Sequence, residues 1–523
     1  MFVTLLLITL PLIIYAVYLA SKRRYQYWER KKVPYSPPVP IFGNFSEYIL
    51  QKTYVGHVAQ KICQAFPNEP YVGAFYGTEP TLIVQDPAII KLVMTKDYYF
   101  FSGRETSNYA HRELFTQGLF FTHGDKWKVL RQNLTPIFTS AKMKNMFYLI
   151  ENCSHVFEKI LDQENNGLNE VEVRTLMARY TMDCIGSCAF GVETNTMTKT
   201  ENNPFRKVGD SIFDTRRFRA FKNNLKAIWP AIYFGLGFRT LSKETDDFFI
   251  NLLTSVFKGR QYQPTSRNDF VDLVLKLKNN KTMTGDSLKN KLSDSGMKVN
   301  LEVDDEVLVA QCFLFFAAGY ETSATTLSNA LFELAKHPKI QERALEEVDE
   351  YLRRHDNKLK YECVAEIPYL EACVDEALRL YPVLGVLTRE VVEDYTFPTG
   401  LKLEKGVRVH LPLYHLHHNP EFFPEPEQYR PERFLAEEKH NIKPYTYMPF
   451  GDGPRLCLGM RFARMQIAAG LITLLKKYRV ELAPDMASEM VFEPKSLVTQ
   501  PIGGIKLKFI EREGWQDRLF KKA

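Results

Sequence analysis

The sequence predicts a mainly α-helical protein with a small β region behind an apolar N-terminal segment. Three observations lead to this prediction. Residues 2–20 are almost entirely apolar, two short segments between residues 71 and 85 have strand composition, and helical periodicity dominates most of the remaining 523-residue chain. No internal repeat or low-complexity segment interrupts the pattern. We therefore predict one large domain behind the apolar segment.

Composition limits the classes of function. The chain is 45% hydrophobic and 13% aromatic, enough for a sizeable core. Its formal net charge of +6 suits contact with an acidic partner or anionic lipid, but it is too weak to indicate nucleic-acid binding. The eight cysteines contain no Cys-x-x-Cys pair and no paired zinc spacing. A reducing compartment is therefore expected for most of the chain.

Residues 1–21 are predicted to be a transmembrane signal anchor. At about 1.5 Å per residue, the apolar run from Phe2 to Ala20 is just long enough to cross a hydrocarbon core of ~30 Å. Basic residues follow at 22–24 and none precedes the run, so the rest of the chain is expected to face the cytosol. A cleaved secretory signal is the alternative. The missing basic n-region and the long apolar run favour the uncleaved anchor.

Residues 22–44 are predicted to be a basic, proline-rich hinge. The four prolines between residues 34 and 40 make a stiff, extended spacer. Residues 45–523 then form the predicted globular domain. Its strands are predicted at Tyr71–Tyr76 and Thr81–Gln85, which are rich in β-branched and aromatic residues.

Aromatic residues and arginines alternate between residues 205 and 249. Such a mixture can bind nucleic acid, but its helical spacing and the predicted anchor favour a lid that faces a membrane. Residues 279–300 are polar and lysine-rich and are predicted to form an exposed connection.

The segment from Asp304 to Lys336 is predicted to form one helix of ~50 Å. Its middle, residues 313–318, is apolar on nearly every side and must be buried. Glu321 and Thr322 follow directly, and a carboxylate and a hydroxyl are costly there unless they serve a function. The alternative for Thr322 is a hydroxyl that bonds back to a carbonyl of its own helix.

A ten-residue segment, 450–459, carries one cysteine between glycines and an arginine. Its glycines allow a tight turn and a close approach to a bulky flat group. Arg455 is placed to pair with a carboxylate, and both Arg455 and the following helix would favour a Cys457 thiolate. A buried, inert cysteine is the alternative. A dinucleotide-binding loop is excluded because Pro454 follows Gly453 and no third glycine stands at the required position.

The pattern Phe-x-x-Gly-x-Arg-x-Cys-x-Gly at 450–459 resembles the haem-ligand signature of the cytochrome P450 family. Residues 318–323, Ala-Gly-Tyr-Glu-Thr-Ser, resemble the oxygen-activation motif of that family, and further motifs occur in the family order. Details at 449–466 and 501–505 are most similar to insect microsomal members that handle plant toxins and insecticides. Ala463 stands where these relatives often carry glycine, which we expect to be harmless. The resemblance implies the cytochrome P450 fold.

The resemblance also implies the cofactor, haem b, with the Cys457 thiolate as axial ligand and metal ligand. The residues it places around the cofactor are Cys457, Trp127, Arg131, Arg389, Arg455, Phe450, Gly453 and Gly459, of which Trp127 and the arginines would contact the propionates. Ala318 and Gly319 belong to the oxygen-activation motif, in which Gly319 would open the helix locally to leave room for dioxygen. Thr322 and Glu321 would hold water and pass protons to the bound oxygen.

Two further groups of residues follow from the resemblance. Glu376 and Arg379, which alone would be a routine surface pair, join Arg433 in a buried structural triad that holds the cysteine loop. The residues implied to line the substrate pocket are Phe115, Phe120, Phe121, Phe316, Val383, Leu384, Leu497 and Val498. Core packing would select the same apolar residue types.

The implied function is that of a membrane-anchored haem-thiolate monooxygenase that inserts one oxygen atom of O2 into lipophilic xenobiotics. It would lie in the endoplasmic reticulum membrane with a single span. The sequence has no flavin or nicotinamide motif, so electrons would come from NADPH through NADPH–cytochrome P450 reductase, with cytochrome b5 as an additional candidate. Lys126, Lys128, Arg461 and Arg464 form the candidate docking surface. Two alternatives are a haem-thiolate isomerase or lyase, against which the intact Glu321-Thr322 pair argues, and a non-enzymatic haem carrier or sensor.

Overall fold

The structure is a computed structural model that describes residues 15–105, 113–164, 170–198, 202–292 and 296–521. Most of the predicted anchor, residues 1–14, therefore lies outside the described residues. Residues 15–24 are helical, and the side chains at positions 15–20 are exposed. The prediction of a mainly helical protein with a small β region is confirmed.

The described α-helices, in chain order, are α1 Tyr27–Arg30, α2 Ser46–Ile49, α3 Val55–Gln64, α4 Pro87–Lys91, α5 Gly124–Leu134, α6 Ser140–Glu164, α7 Val173–Ile185, α8 Pro204–Ile212, α9 Arg217–Ile228, α10 Pro230–Gly235, α11 Lys243–Gly259, α12 Phe270–Asn279, α13 Asp305–Lys336, α14 Pro338–Arg354, α15 Cys363–Glu366, α16 Pro368–Leu380, α17 Leu413–His417 and α18 Met460–Leu475. The described strands are β1 Tyr71–Tyr76, β2 Glu79–Val84, β3 Val171–Glu172, β4 Thr282–Asp286, β5 Lys298–Glu302, β6 Leu387–Glu390, β7 Tyr395–Thr396, β8 Lys402–Leu403, β9 Arg408–Leu411, β10 Tyr478–Leu482 and β11 Lys506–Glu511.

The described strands form four small sheets. The largest has the order β1-β2-β9-β6, in which β2 and β9 are parallel and the other pairs are antiparallel. A second sheet has the order β10-β11-β3, and β4-β5 and β7-β8 are two-stranded. The predicted strand Tyr71–Tyr76 is confirmed as β1, and the strand predicted at Thr81–Gln85 begins two residues earlier, at Glu79.

Residues 279–300 are largely exposed, as predicted, but they are not an irregular connection, because β4 and β5 form an antiparallel pair there. The pair packs against α5: the Gln132 Nε2 donates to an Asp286 carboxylate oxygen at 2.8 Å, and Met283 is buried. Its strand structure therefore depends on tertiary contacts that the polar composition of the segment conceals.

Helix α13 forms the centre of the core and follows the predicted bounds closely. Asp304 caps its N-terminus by accepting from the Val307 N–H at 2.7 Å, and the helix ends at Lys336, just before Pro338. It packs against α7, α16 and α18. Within the described residues, α13 is also the one helix long and apolar enough to cross a membrane, but its burial in the protein identifies it as a core helix.

Gly319 does not open α13. The helix is continuous through this position, in contrast to the expected local opening. A Cβ built on Gly319 would lie 2.7 Å from Ile185 Cδ1 of α7. The glycine is therefore explained by the close packing of α13 on α7, a contact that the sequence of α13 alone does not reveal.

Candidate active site

A cavity of about 660 Å³ lies between α13 and the cysteine loop, residues 450–459. Its wall combines residues from at least six segments far apart in sequence, from Tyr48 to Val498. Much of the wall is aromatic or aliphatic, including Phe115, Leu241 and Val383. An enclosed apolar space with a few polar groups is the usual form of a small-molecule site.

The cysteine loop has a fixed conformation that brings Cys457 to the cavity. Gly453 has a φ of +66°, and a Cβ there would lie 1.9 Å from the Met94 carbonyl oxygen, so only glycine fits. The Cys457 N–H donates to the Phe450 carbonyl oxygen at 2.9 Å. Gly459 lines the cavity, and a Cβ on it would meet no protein atom within 4 Å. The loop therefore presents sulfur beside open space.

Cys457 differs from the other cysteines in its surroundings. All eight lie in the described part of the chain, and Cys457 is the exposed one; Cys153 is intermediate and the rest are buried. Its exposed surface faces the cavity, which it lines. Burial raises the pKa of the Cys457 thiol, whereas the Gly459 N–H and the Arg131 guanidinium lower it. In the protein alone the thiol is therefore neutral at pH 7, and a bound metal cation would convert it to thiolate.

Arg455 does not act on Cys457 in the expected way. Its guanidinium donates to the carbonyl oxygens of Ser102 at 3.0 Å and Thr122 at 2.8 Å, and it stacks 4.5 Å from the Trp127 ring. These partners are neutral. Arg131, rather than Arg455, is the cation that acts on the sulfur.

Three of the arginines that line the cavity, Arg131, Arg389 and Arg455, have no ion pair within the described residues. Arg389 is 1% exposed, donates to the Thr388 carbonyl oxygen at 2.8 Å, and has a buried Nε without a partner. Burial and the nearby Arg455 lower its pKa to about 10. Buried cations without counter-ions are costly, so this wall is suited to an anionic ligand.

Arg104 is a fourth guanidinium at the same wall, and the sequence analysis missed it. Burial, Arg389 and Arg455 together lower its pKa well below the usual value, and its guanidinium stacks 3.9 Å from the Phe120 ring. No pattern of neighbouring residues distinguishes Arg104 in the sequence. The wall nevertheless fits the two propionate carboxylates of a haem, with Cys457 on the same cavity.

One face of α13 also lines this cavity, although α13 is far from the cysteine loop in sequence. The residues of this face are Leu314, Phe315, Ala317, Ala318, Gly319, Thr322, Ser323 and Thr326. Thr322 Oγ1 donates to the Ala318 carbonyl oxygen at 2.7 Å. The hydroxyl therefore bonds back to its own helix, as in the alternative considered for this residue. Its oxygen remains able to accept a hydrogen bond from the cavity side.

Glu321 does not lie on the cavity face. Its carboxylate is ion-paired with Arg174 and accepts from Gln500 Nε2 at 2.9 Å, and its side chain is buried. Burial raises its pKa, and Arg174 opposes that effect. The position differs from the expectation because successive residues of an α-helix are rotated by about 100°, so Glu321 and Thr322 point in different directions.

Seven of the eight residues expected to line a substrate pocket lie on the cavity wall. Those that line the cavity are Phe115, Phe120, Phe121, Val383, Leu384, Leu497 and Val498. Phe316 does not: it is fully buried and its ring packs 5.5 Å from Phe190 and 5.3 Å from Phe249. Phe315, one residue earlier, lines the cavity instead. The choice of Phe316 was wrong by one helical position.

Glu376, Arg379 and Arg433 are brought together in the core. Arg379 makes two parallel hydrogen bonds to Glu376, at 2.7 and 2.8 Å, and both side chains are 0% exposed. Arg433 Nε lies 3.4 Å from Glu376 Oε1. Arg379 also donates to the carbonyl oxygens of His417, Pro426 and Gln428. The group thus fastens α16 to the chain that precedes the cysteine loop.

Helix α16 also contacts both flanks of the cysteine loop. The Met448 N–H donates to His417 Nε2 at 3.2 Å, and the His417 carbonyl oxygen accepts a hydrogen bond from Arg379 of α16. After the loop, Arg464 on α18 donates to Asp375 of α16 at 2.6 Å. Because Arg464 is engaged with Asp375 and Glu371, it is less available to a partner protein than the exposed Arg461.

Comparisons with known proteins match nearly the whole chain. Residues 33–509 match the family model described as Cytochrome P450. The chain is 37% identical to "Cytochrome P450 6k1" of Blattella germanica over 511 residues, 97% of each chain. It is 34% identical to "Cytochrome P450 6B2" of Helicoverpa armigera over 505 residues, 96% of this chain and 98% of the relative. It is 35% identical to "Cytochrome P450 6B1" of Papilio polyxenes over 496 residues, 94% of this chain and 96% of the relative.

Proposed function

Because the chain belongs to the cytochrome P450 family, an oxidoreductase family of monooxygenases whose cofactor is haem b with a cysteine thiolate ligand, we propose that it oxidises lipophilic xenobiotics such as plant toxins or insecticides. One observation carries the proposal: a single cavity is lined by an open cysteine, by guanidiniums without ion pairs, and by a hydroxyl-bearing helix face. The xenobiotic substrate class comes from the resemblance of the sequence to insect members of the family, and the similarity to insect relatives agrees with that resemblance.

Cys457 is the proposed axial ligand. When bound, the haem supplies the iron at which O2 is reduced and from which oxygen is transferred to a C–H bond. Arg131, Arg389 and Arg455 would neutralise the propionates, which relieves the cost of burying these cations. Trp127, whose indole stacks on Arg455, would hold that guanidinium in place.

Thr322 is the proposed distal hydroxyl. It stands on the cavity face of α13, where its oxygen can accept a hydrogen bond from a water molecule while its O–H donates to the Ala318 carbonyl oxygen. In this position it would hold the water through which protons reach the reacting oxygen. Gly319 and Ala318 leave the space above it open because neither carries a bulky side chain.

Replacement of Thr322 by alanine should preserve haem binding and divert electrons to hydrogen peroxide. The expected effect is about a hundredfold fall in product formed per NADPH, the lower end of the roughly 10²–10⁴-fold contribution of a positioned proton-transfer group. Peroxide release and product yield measure it. Ser328→Ala is the matched control, because Ser328 makes the same 2.7 Å bond to the carbonyl four residues earlier, but does not line the cavity. Equal uncoupling in both variants would count against the proposed role.

Glu321 is proposed as the proton source behind Thr322. Its raised pKa suits a carboxyl that takes up and releases protons, and its partner Arg174 is partly exposed to solvent. To reach the cavity, its side chain must leave Arg174 and Gln500 and adopt another rotamer. Glu321→Gln should therefore slow oxidation while the haem spectrum stays unchanged.

The membrane and redox partners complete the proposal. Residues 1–21 would anchor the chain in the endoplasmic reticulum membrane, with residues 22–44 as a hinge and the domain 45–523 in the cytosol. Exposed apolar side chains on α9 and α10, with Phe218 62% and Ile232 51% exposed, would face the lipid. NADPH–cytochrome P450 reductase would supply electrons, with cytochrome b5 as a second donor, at a surface that includes Lys126, Lys128 and Arg461.

The proposed reaction is tested by measuring NADPH consumption with added reductase and candidate lipophiles. A monooxygenase couples NADPH oxidation to substrate oxidation. An isomerase or lyase would convert a peroxide substrate without NADPH, and a haem carrier or sensor would convert no substrate. Turnover that is independent of NADPH, or absent with every lipophile, would contradict the proposal.

A further inference from the structure

The cavity wall formed by α9 contains polar groups that the proposed reaction does not use. The residues of α9 that line the cavity are Arg219, Ala220, Asn223, Asn224, Lys226 and Ala227. Arg219 and Asn223 are one helical turn apart and therefore project from the same face of α9. Their side chains carry a guanidinium and a primary amide, both of which donate hydrogen bonds.

Arg219 has no counter-ion within the described residues. Its one hydrogen bond is a long 3.4 Å contact to the Ile212 carbonyl oxygen. It is half-buried, and burial lowers the pKa of its guanidinium, although the group remains cationic at neutral pH. The Asn223 side chain, which is exposed, likewise makes no hydrogen bond to a protein group among the described residues.

The nearby carboxylates are occupied by other donors. Asp214 accepts from the Arg216 backbone N–H at 2.9 Å and from Arg216 Nε at 2.7 Å. Glu113 accepts from Lys226 at 2.6 Å and from both the N–H and the hydroxyl of Thr240. Both carboxylates act electrostatically on Arg219 and favour its charged form, but neither makes an ion pair with it within the described residues. This end of the cavity therefore has an excess of positive charge.

We propose that Arg219 and Asn223 form a subsite for the carboxylate of an amphiphilic substrate whose apolar chain fills the rest of the cavity. The guanidinium would pair with the carboxylate, and the Asn223 amide would donate to its second oxygen. An uncharged lipophile would instead cover Arg219 without supplying a counter-charge, which is unfavourable. This inference rests on the proposed function and names a substrate class for it: lipophilic carboxylic acids.

The experiment uses the full-length holoenzyme and measures dissociation constants from the change in haem absorption on ligand binding. The probes are dodecanoate, methyl dodecanoate and 1-dodecanol, which share an apolar chain and differ in charge. The wild-type protein should bind dodecanoate more tightly than the ester or the alcohol. Arg219→Ala should weaken dodecanoate binding about tenfold to a hundredfold, and the affinity for the alcohol should change less than about twofold. Arg219→Lys should restore part of the difference.

Arg217→Ala is the matched control, since Arg217 lies on the same helix, is exposed and does not line the cavity. It should leave all three affinities unchanged. The inference is overturned if the wild-type protein shows no preference for the acid, or if Arg219→Ala weakens acid and alcohol equally. The preference of the wild-type protein for the acid is measured without any variant, so the inference can be tested even if Arg219→Ala folds poorly.

Failure of this inference differs from failure of the proposed function. If neutral lipophiles are oxidised with consumption of NADPH but acids are not preferred, only the proposed carboxylate subsite is contradicted. If dodecanoate binding instead depends on Arg219 but no lipophile is oxidised with consumption of NADPH, the carboxylate subsite is supported and the monooxygenase proposal is contradicted.

Discussion

Replacement of Cys457 by alanine is expected to abolish the carbon monoxide absorption band of the reduced protein that is typical of thiolate ligation, and with it all NADPH-coupled oxidation. The physical reason is that Cys457 is the exposed cysteine at the cavity. Cys188 also lines the cavity, but it is buried and burial raises the pKa of its thiol well above the usual value, so we do not expect it to replace Cys457. The fold should persist, because the side chain is exposed to the cavity and makes no core contact of its own. Circular dichroism, haem content and the carbon monoxide difference spectrum measure the three effects.

Cys153→Ala provides the matched control, because Cys153 is the partly exposed cysteine of a different region, on α6. This variant should retain haem, the thiolate band and activity. Persistence of the thiolate band in Cys457→Ala would contradict the assignment of the ligand.

Replacement of Arg379 by alanine should yield protein that fails to fold and to load haem. It would leave the Glu376 carboxylate buried with only Arg433 at 3.4 Å as a cationic neighbour, and it would strip donors from three carbonyl oxygens. Removal of one partner of a buried ion pair costs about 3–5 kcal/mol, a large share of the roughly 5–15 kcal/mol by which domains are stable. Soluble yield, haem content and the free energy of unfolding measure the effect.

Arg479→Ala is the corresponding surface control. Arg479 lies 3.0 Å from Glu481 in an ion pair whose side chains are 55% and 48% exposed, and the loss of such a pair changes stability by about 1 kcal/mol or less. If Arg379→Ala gave a normally loaded holoenzyme with wild-type stability, the buried triad would have no structural role.

Local sequence was sufficient to predict the elements whose structure is determined by local rules. The bounds of α13 follow from a capping aspartate and a terminating proline, and β1 follows from a short run of strand-forming residues. The cysteine loop is likewise explained by its own glycines, with Gly453 at a φ of +66°. In each case local sequence indicates the conformation, although Gly453 is also required by the close approach of the distant Met94 carbonyl oxygen.

Features that depend on the rotation of a helix or on distant segments were not predictable in this way. Phe316 and Phe315 are equally apolar, and only the packing of α13 decides which of them reaches the cavity. Glu321 is turned toward Arg174 and Gln500, which are 147 and 179 residues away in sequence. Arg104 lies at the same cavity wall as Arg389 and Arg455 only because the fold brings distant segments together. Such positions require the three-dimensional structure.

The central claim is that this cavity holds a haem at which one atom of O2 enters a lipophilic substrate. It is tested most directly by oxidation under oxygen-18 gas, with the full-length protein, NADPH and added reductase. We expect one labelled oxygen atom in each product molecule, the other in water, and one NADPH consumed for each product. Product oxygen derived from water or from a peroxide substrate, or product formed without NADPH, would contradict the claim.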